Sequence, residues 1–399
     1  MSFDRLMLVP LAAGHVALFV VAINVVHAFG CREQFMRWVK FGLLASSIAL
    51  ASRVAWAAWT GPIGEWPPAI LAYAGLCLFV GLVAVPLSSL HLRLRPRPER
   101  ISERAVEIDF AETIGRDQLI GKGKYDWMLA LPGNESFRLR KTEWELVLPS
   151  LPAALDGLSI LHISDLHFAP CFRRRYFEAV IDEAAGWECD LVLFTGDLVD
   201  HDSAHGWIVP LMSRLGGRLG SFAVFGNHDL DHDPAGLRRL MIEAGYADLE
   251  GRWATVEHAS TTIALGGTSD PWGPPLSIGE QPDADYRILL SHSPDQFYWA
   301  ARHGFDLMLS GHNHGGQVRL PAIGAVFMPS RYSRRFDRGF FRKGGLTLHV
   351  SQGVAGKHPV RYGCVPEIGR LVLRSTEKRQ ELQLARRTDD LTLSSDAAR

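Results

Sequence analysis

The 399-residue chain has almost no surplus charge of either sign: 42 basic side chains face 43 acidic ones, a formal net charge of -1. A chain so balanced has no bulk attraction for nucleic acid, and none is expected as a partner. Cysteine is scarce. The five (Cys31, Cys77, Cys171, Cys189 and Cys364) are scattered, odd in number and in no C-x-x-C pair. That spacing indicates neither a zinc ribbon nor a disulfide framework, so a reducing, cytosol-facing setting is the simpler reading. No internal repeat is visible.

Charge is missing most conspicuously from the first ninety residues. Residues 7–29 carry none, 41–59 only Arg53, and 67–90 none. A helix of about 20 apolar residues crosses about 30 Å of hydrocarbon. Three transmembrane helices are therefore expected, at about 7–29, 41–59 and 67–90, within a region 1–92. The length of the first run, the lack of an A-x-A site and the two runs that follow argue against a cleaved signal peptide. The first loop carries Arg32, Arg37 and Lys40, and five arginines from Arg93 to Arg104 follow the third run, whereas residues 60–66 have no Lys or Arg. By the positive-inside rule the N-terminus faces outward and everything after Leu90 is cytoplasmic. A re-entrant segment in place of one span would reverse this. The expected location is multi-pass in a membrane. Arg53, costly in mid-span, is expected in a helix–helix contact.

Residues 93–150 read as a charged, proline-punctuated connecting segment with some strand character at 143–148. From 151 to 375, short apolar runs (158–163, 191–195, 223–225, 262–265, 288–290, 307–309, 346–350 and 371–373) alternate with amphipathic stretches, as in an α/β domain. Residues 177–187 and 236–244 read as helices. The polar, aperiodic residues 376–399 read as a flexible tail.

Five segments, each just after one of these runs, end in metal-type ligands: Asp165-Leu166-His167, Gly196-Asp197, Gly226-Asn227-His228-Asp229, Ser291-His292 and Gly311-His312-Asn313-His314. Asp, His and Asn hold hard to borderline divalent ions. In open α/β sheets, loops beyond the carboxyl ends of strands converge on one site. Alternate residues of an extended segment point the same way, so D-x-H and H-x-H each aim two ligands together. Five such blocks in this order point to a two-metal hydrolase of phosphate esters. His162, His201, His205, His232, His303, His349 and His358 lack such context and read as packed or surface histidines. Asp200 reads equally as a support for the site or as a loop cap.

The order D-x-H, G-D, G-N-H-D, H, G-H-x-H resembles that of the calcineurin-like metallophosphoesterases, over roughly residues 157–375. Gly311-His312-Asn313-His314-Gly315-Gly316-Gln317, Gly196-Asp197-Leu198-Val199-Asp200 and Pro359-Val360-Arg361 resemble a bacterial, membrane-associated phosphodiesterase branch of it. The resemblance implies a layered α/β/β/α sandwich, here an α/β domain at 151–375 behind the transmembrane bundle. It implies that Asp165, His167 and His314 hold one ion, Asn227, His292 and His312 a second, and that Asp197 bridges them. Two divalent ions are expected, manganese first, with iron or zinc also suited. A hydroxide held between the ions would attack phosphorus in line. His228 would protonate the leaving oxygen, oriented by Asp229. Position 313 is more often Thr in that branch; it lies between ligands, so Asn should matter little.

Two basic, aromatic clusters, 172–177 and 331–343, flank these blocks. Arg173, Arg174, Arg334, Arg335, Arg338 and Arg361 are the expected substrate-binding residues, since guanidinium forks match phosphate; a solvated face with core aromatics is the plainer alternative. Some membrane-associated relatives in this family cleave the pyrophosphate of UDP-2,3-diacylglucosamine in lipid A synthesis. A lipid-linked phosphodiester or pyrophosphate is therefore the expected substrate, with soluble nucleotides or other phosphate esters as the alternative. No protein partner is implied.

Overall fold

The computed structural model describes residues 3–28, 33–95, 98–321 and 323–377. Its contacts divide the chain into two units, one of residues 1–95 and 316–337, the other of residues 96–315 and 338–399.

The first unit is helical. Helices α1 (Phe3–His27) and α2 (Glu33–Thr60) are followed by α3 (Pro68–Phe79), which continues through a π-turn, Val80–Ala84, into α4 (Val85–Leu94). Three segments are long and apolar enough to cross a membrane: Met7–Val26, Phe35–Thr60 and Pro68–Leu94. The extra turn in the third sits just before Pro86, which has no N–H to continue a regular helix. His15 ties the three together, its ring nitrogens lying 2.6 Å from the Tyr73 hydroxyl and 2.9 Å from Ser47 Oγ. Polar side chains in an apolar bundle face one another because lipid offers no partner. Arg53 is exposed on α2. Thr60 lies seven positions further on, close enough for the long stem of Arg53 to reach toward that end.

The second unit is a sandwich of two sheets. The first has seven strands in the order β1-β2-β15-β3-β4-β5-β6. These are β1 (Arg100–Asp109), β2 (Arg138–Val147), β3 (Ser159–Ile163), β4 (Cys189–Thr195), β5 (Gly217–Val224), β6 (Tyr246–Asp248) and β15 (Glu367–Arg374). The second sheet runs β13-β14-β10-β9-β8-β7, built from β7 (Trp253–His258), β8 (Thr261–Thr268), β9 (Tyr286–Ser291), β10 (Leu307–Ser310), β13 (Gly339–Lys343) and β14 (Leu346–Val350). Strands β3 to β6 are mutually parallel, as are β8, β9, β10 and β14. Strand β15 pairs parallel with β2 and antiparallel with β3.

Burial on both faces explains why these strands read as continuous apolar runs. Leu191 and Leu193 of β4 join the core between the sheets, beside Ile160, Ile288, Leu290, Leu307 and Leu309. Their neighbours Val192 and Phe194 point the other way, into a core with helices α5 (Asp126–Leu129), α6 (Arg174–Ala185), α7 (His205–Met212) and α8 (Pro234–Glu243). The short α9 (Phe297–Arg302) packs against β14. This is the expected α/β/β/α layering.

The sequence reading is corrected at residues 93–150. Instead of only connecting, they supply β1 and β2, two strands of the first sheet. Most of β1 is exposed, which removes the apolar alternation that would have revealed it. Of the expected tail, residues 378–399 lie outside the described residues.

Candidate dinuclear metal centre

The five ligand-bearing loops leave the carboxyl ends of β3, β4, β5, β9 and β10. Parallel pairing puts those ends on one side of their sheets, so the loops converge. Two groups of donors result. Asp165, His167, Asp197 and His314 place one donor atom each within 4.8 Å of one another, and so do Asp197, His292 and His312. Asn227 belongs with the second group, its Oδ1 lying 3.2 Å from His292 Nε2.

Asp197 is common to both groups, and its hydrogen bonds explain why. Its Oδ1 accepts the His228 N–H at 3.0 Å. The other oxygen is left between the groups, with Oδ2 3.4 Å from His167 Nε2 and 3.4 Å from His292 Nε2. Asp165 is fixed by the backbone N–H of His312, 3.0 Å from its Oδ1.

The donor set fits divalent cations. His292 Nδ1 donates to the Thr195 carbonyl at 2.8 Å, so in the neutral ring Nε2 presents a lone pair. Around that lone pair stand Asn227 Oδ1, Asp197 Oδ2 and, at 3.1 Å, His312 Nδ1. In the same way His167 Nδ1 is engaged by Asp200 at 2.9 Å, and its Nε2 lies 3.2 Å from His314 Nε2. Inward-facing lone pairs in a buried site need protons or cations among them. A carboxylate behind a ligand imidazole is the usual support of such a metal site.

The backbone is bent to make this possible. Asp165, His167, Asp197, His312 and His314 all have positive φ, between 45° and 66°. Each such residue costs of order 1–3 kcal/mol unless its surroundings impose it. Close approach also dictates a glycine: a Cβ on Gly226 would run into the Asp197 carboxylate.

His228 lies at the edge of the cluster, its side chain 20% exposed and its Nδ1 2.6 Å from Asp200 Oδ1. Burial opposes a charge on its ring, but Asp197 and Asp200 favour one and prevail, moving its pKa up to about 9. Cations bound at Asp197 would work against that charge. Burial likewise opposes ionisation of Asp200, yet His167 and His228 hold it well below the usual carboxylate range.

The expected helper of His228 is displaced. Asp229 is fully buried and accepts the backbone N–H groups of Leu198, Val199 and Gly226 at 2.8, 3.0 and 2.9 Å. Its carboxylate braces the G-D loop, and burial together with Asp197 raises its pKa to about 6. Asp200, three residues past Asp197, takes the place beside His228.

The expected substrate arginines are dispersed. Arg173 is exposed and donates to the Ile120 carbonyl at 2.9 Å. Arg174 pairs with Glu178 one turn along α6, at 3.1 Å. Arg334 belongs to the helical unit, where it donates to Ser88 and Ser89. Arg335 is exposed in that unit, and Arg338 donates to Gln352 at 2.5 Å. Arg361 is buried at 1% exposure and donates to the carbonyls of His314, Gln352 and Ala355, so it shapes the His314 loop from behind. Phe172, Tyr176 and Phe177 are core residues.

Sequence reasoning missed Trp272, whose ring centroid is 4.7 Å from that of His312. It missed Lys357 as well, whose charge is felt at His228, and read His358 only as a packed or surface histidine; both are exposed, and Asp200 and His228 act on the His358 ring. None of the three stands in a ligand motif, so no spacing marked them.

Known proteins resemble this chain over the region that carries these loops. The profile of the calcineurin-like phosphoesterases matches residues 158–316, which include all seven donors. The chain is 29% identical over 255 residues to the uncharacterized metallophosphoesterase YkuE of Bacillus subtilis, covering 61% of this chain and 88% of that one. It is 30% identical over 227 residues to the phosphodiesterase YaeI of Escherichia coli, covering 54% and 81%. It is also 28% identical over 250 residues to a zebrafish (Danio rerio) transmembrane protein with metallophosphoesterase domain, covering 58% and 56%. With its ligand loops in family order on a two-sheet sandwich, this hydrolase belongs to the calcineurin-like metallophosphoesterase family.

Proposed function

We propose that the protein is a membrane-anchored phosphodiesterase that holds two divalent ions and cleaves a lipid-linked phosphodiester or pyrophosphate. Asp165, His167 and His314 would hold one ion, Asn227, His292 and His312 the other, and Asp197 both. The observation that carries this reading is the single Asp197 oxygen equidistant from a histidine of each group. Two ions in such a site supply Lewis acidity, activating water and neutralising phosphoryl oxygens. Manganese is the first candidate; the mixed carboxylate, amide and imidazole donors also suit iron or zinc.

The protein's own residues supply the rest. With Nδ1 held by Asp200, His228 has Nε2 left to donate a proton to the leaving oxygen. Trp272 beside His312 offers an apolar wall. Lys357, exposed and electrostatically coupled to His228, offers a charge for phosphate.

The apolar helices favour a substrate that resides in the membrane. The basic residues that flank the first and third spans favour a cytoplasmic catalytic unit in a bacterial inner membrane. A nucleotide lipid such as UDP-2,3-diacylglucosamine meets both conditions. The test is an assay of the full-length protein with Mn²⁺ on that nucleotide lipid, an aryl phosphodiester and soluble nucleotides, with and without chelator. Chelator-sensitive release of UMP and lipid phosphate is expected. Turnover confined to soluble esters would overturn the lipid assignment and leave the phosphodiesterase intact.

A further inference from the structure

Residues 316–337 follow the metal-ligand loop in sequence but fold with the apolar helices. They contain a short hairpin, β11 (Arg319–Leu320) paired with β12 (Gly324–Ala325). Three polar anchors hold the segment within the helical unit. Asn24 of α1, fully buried, accepts the Met328 N–H at 2.9 Å and donates to Ser333 Oγ at 3.2 Å. Arg334 donates to Ser88 Oγ at 3.1 Å, Ser89 Oγ at 2.8 Å and the Val85 carbonyl at 3.1 Å. Asp337 accepts from Arg95 at 2.6 Å and Arg319 at 2.8 Å.

The positions of these anchors give a depth. In a three-span chain the carboxyl ends of the first and third spans share a side. Asn24 lies two residues before the end of the Met7–Val26 span. Ser88 and Ser89 lie five or six residues before Leu94, which is about 8–9 Å at 1.5 Å per residue. Arg95 lies just beyond. The anchors therefore run from amide and hydroxyl to ion pair over the last turns of the spans, the gradient from hydrocarbon edge to headgroups. Meanwhile the segment leaves Val318, Leu320, Ile323 and Phe327 between 37% and 45% exposed. Exposed apolar side chains on a segment that folds with bilayer-spanning helices have lipid as their natural cover.

We propose that residues 316–337 form an interfacial element that lies in the headgroup layer, with Val318, Leu320, Ile323 and Phe327 in contact with lipid. It is a membrane contact additional to the three spans, and it depends on no particular substrate. It also accounts for Arg331, Arg334 and Arg335: Arg334 secures the segment, and the two exposed arginines suit anionic headgroups.

The test uses the full-length protein in nanodiscs of phosphatidylethanolamine and phosphatidylglycerol. The four described cysteines are buried, so a Cys31→Ser background leaves an introduced thiol as the labelling target. Nitroxides are placed at Leu320→Cys or Ile323→Cys, with Asp283→Cys, exposed in the other unit, as the aqueous reference. Accessibility to oxygen is compared with accessibility to a water-soluble nickel chelate. At 320 and 323 oxygen should exceed nickel several-fold, the reverse of 283. Aqueous behaviour like that of 283, or shielding from both reagents as in a contact between copies, overturns the proposal. Asn24→Ala should raise nickel accessibility at 320. If that variant does not fold, the 320 and 323 measurements in the otherwise intact chain still decide.

Discussion

Asp200 stands between two imidazoles, 2.9 Å from His167 Nδ1 and 2.6 Å from His228 Nδ1. One carboxylate thus orients a metal-ligand ring and the ring placed to serve the leaving group. Asp200→Asn keeps the size but can accept from only one of them, and it removes the charge that favours a proton on His228. Losing such a support typically lowers metal affinity or activity about 10–100-fold. We expect a kcat reduced by that order, weaker metal binding by calorimetry and an acid-shifted upper limb of the pH–rate profile. The melting temperature should change little. A variant with wild-type kcat and metal affinity would remove Asp200 from the mechanism. The sequence placed Asp229 in this role because it adjoins His228 in the chain. A loop turns consecutive side chains to different sides, so adjacency is a poor guide to contact. Asp229 faces the loop backbone, and Asp200 reaches His228 from another strand's end.

Among the secondary elements, β3 and β14 belong to different sheets, and one polar contact joins them through the apolar core. His162 Nδ1 lies 2.8 Å from His349 Nδ1, and His162 Nε2 lies 3.0 Å from Thr195 Oγ1. Thr195 gives its own proton to Ser164, so it accepts from His162 Nε2. His162 Nδ1 must then accept from His349, whose Nε2 is buried without a partner among the described residues. Both rings are therefore neutral. Burial holds the pKa of His349 down at about 3 and that of His162 well below its ordinary value, with His349 adding to the effect. The sign follows from linkage. The unfolded chain binds these protons below about pH 6.5 and the folded one does not, so stability is full above that pH. It then falls toward pH 3 by up to about 1.4 kcal/mol per pH unit for each ring. Urea midpoints at pH 7 and pH 5 should differ less in a His162→Leu/His349→Leu double variant than in the natural chain; an equal difference would refute the assignment.

The same elements show what could be read from sequence. Strands β3, β4, β9 and β10 were legible because burial on both faces writes an unbroken apolar run, and each ligand block follows such a run directly. Strand β1 was not, because an exposed edge strand leaves no such run. The helix at 205–212 was missed because it is short and contains Pro210. The cluster at 331–343 was legible as basic and aromatic, but composition does not say which unit a loop packs against. Arg334 is spent on Ser88 and Ser89, partners nearly 250 residues away that no local pattern announces. The positive φ of five ligand positions was equally invisible, since Asp and His carry no glycine-like mark of that conformation.

For the molecule as a whole, the order of assembly follows from the place of β15. The first two strands do not touch β3; β15 lies between them and the rest of the sheet. Ending the chain after Pro366 should therefore leave residues 100–147 open to limited proteolysis although their own sequence is intact, and protection of that stretch would contradict this. During translation the wait is long. Val147 and Arg374 are 227 positions apart (374 minus 147), so at about 5–20 residues per second the early hairpin stays unclasped for roughly 10–45 s. Throughout that interval a nascent edge is offered to chaperones or to stray pairing, and the ribosome itself sets when the clasp can shut.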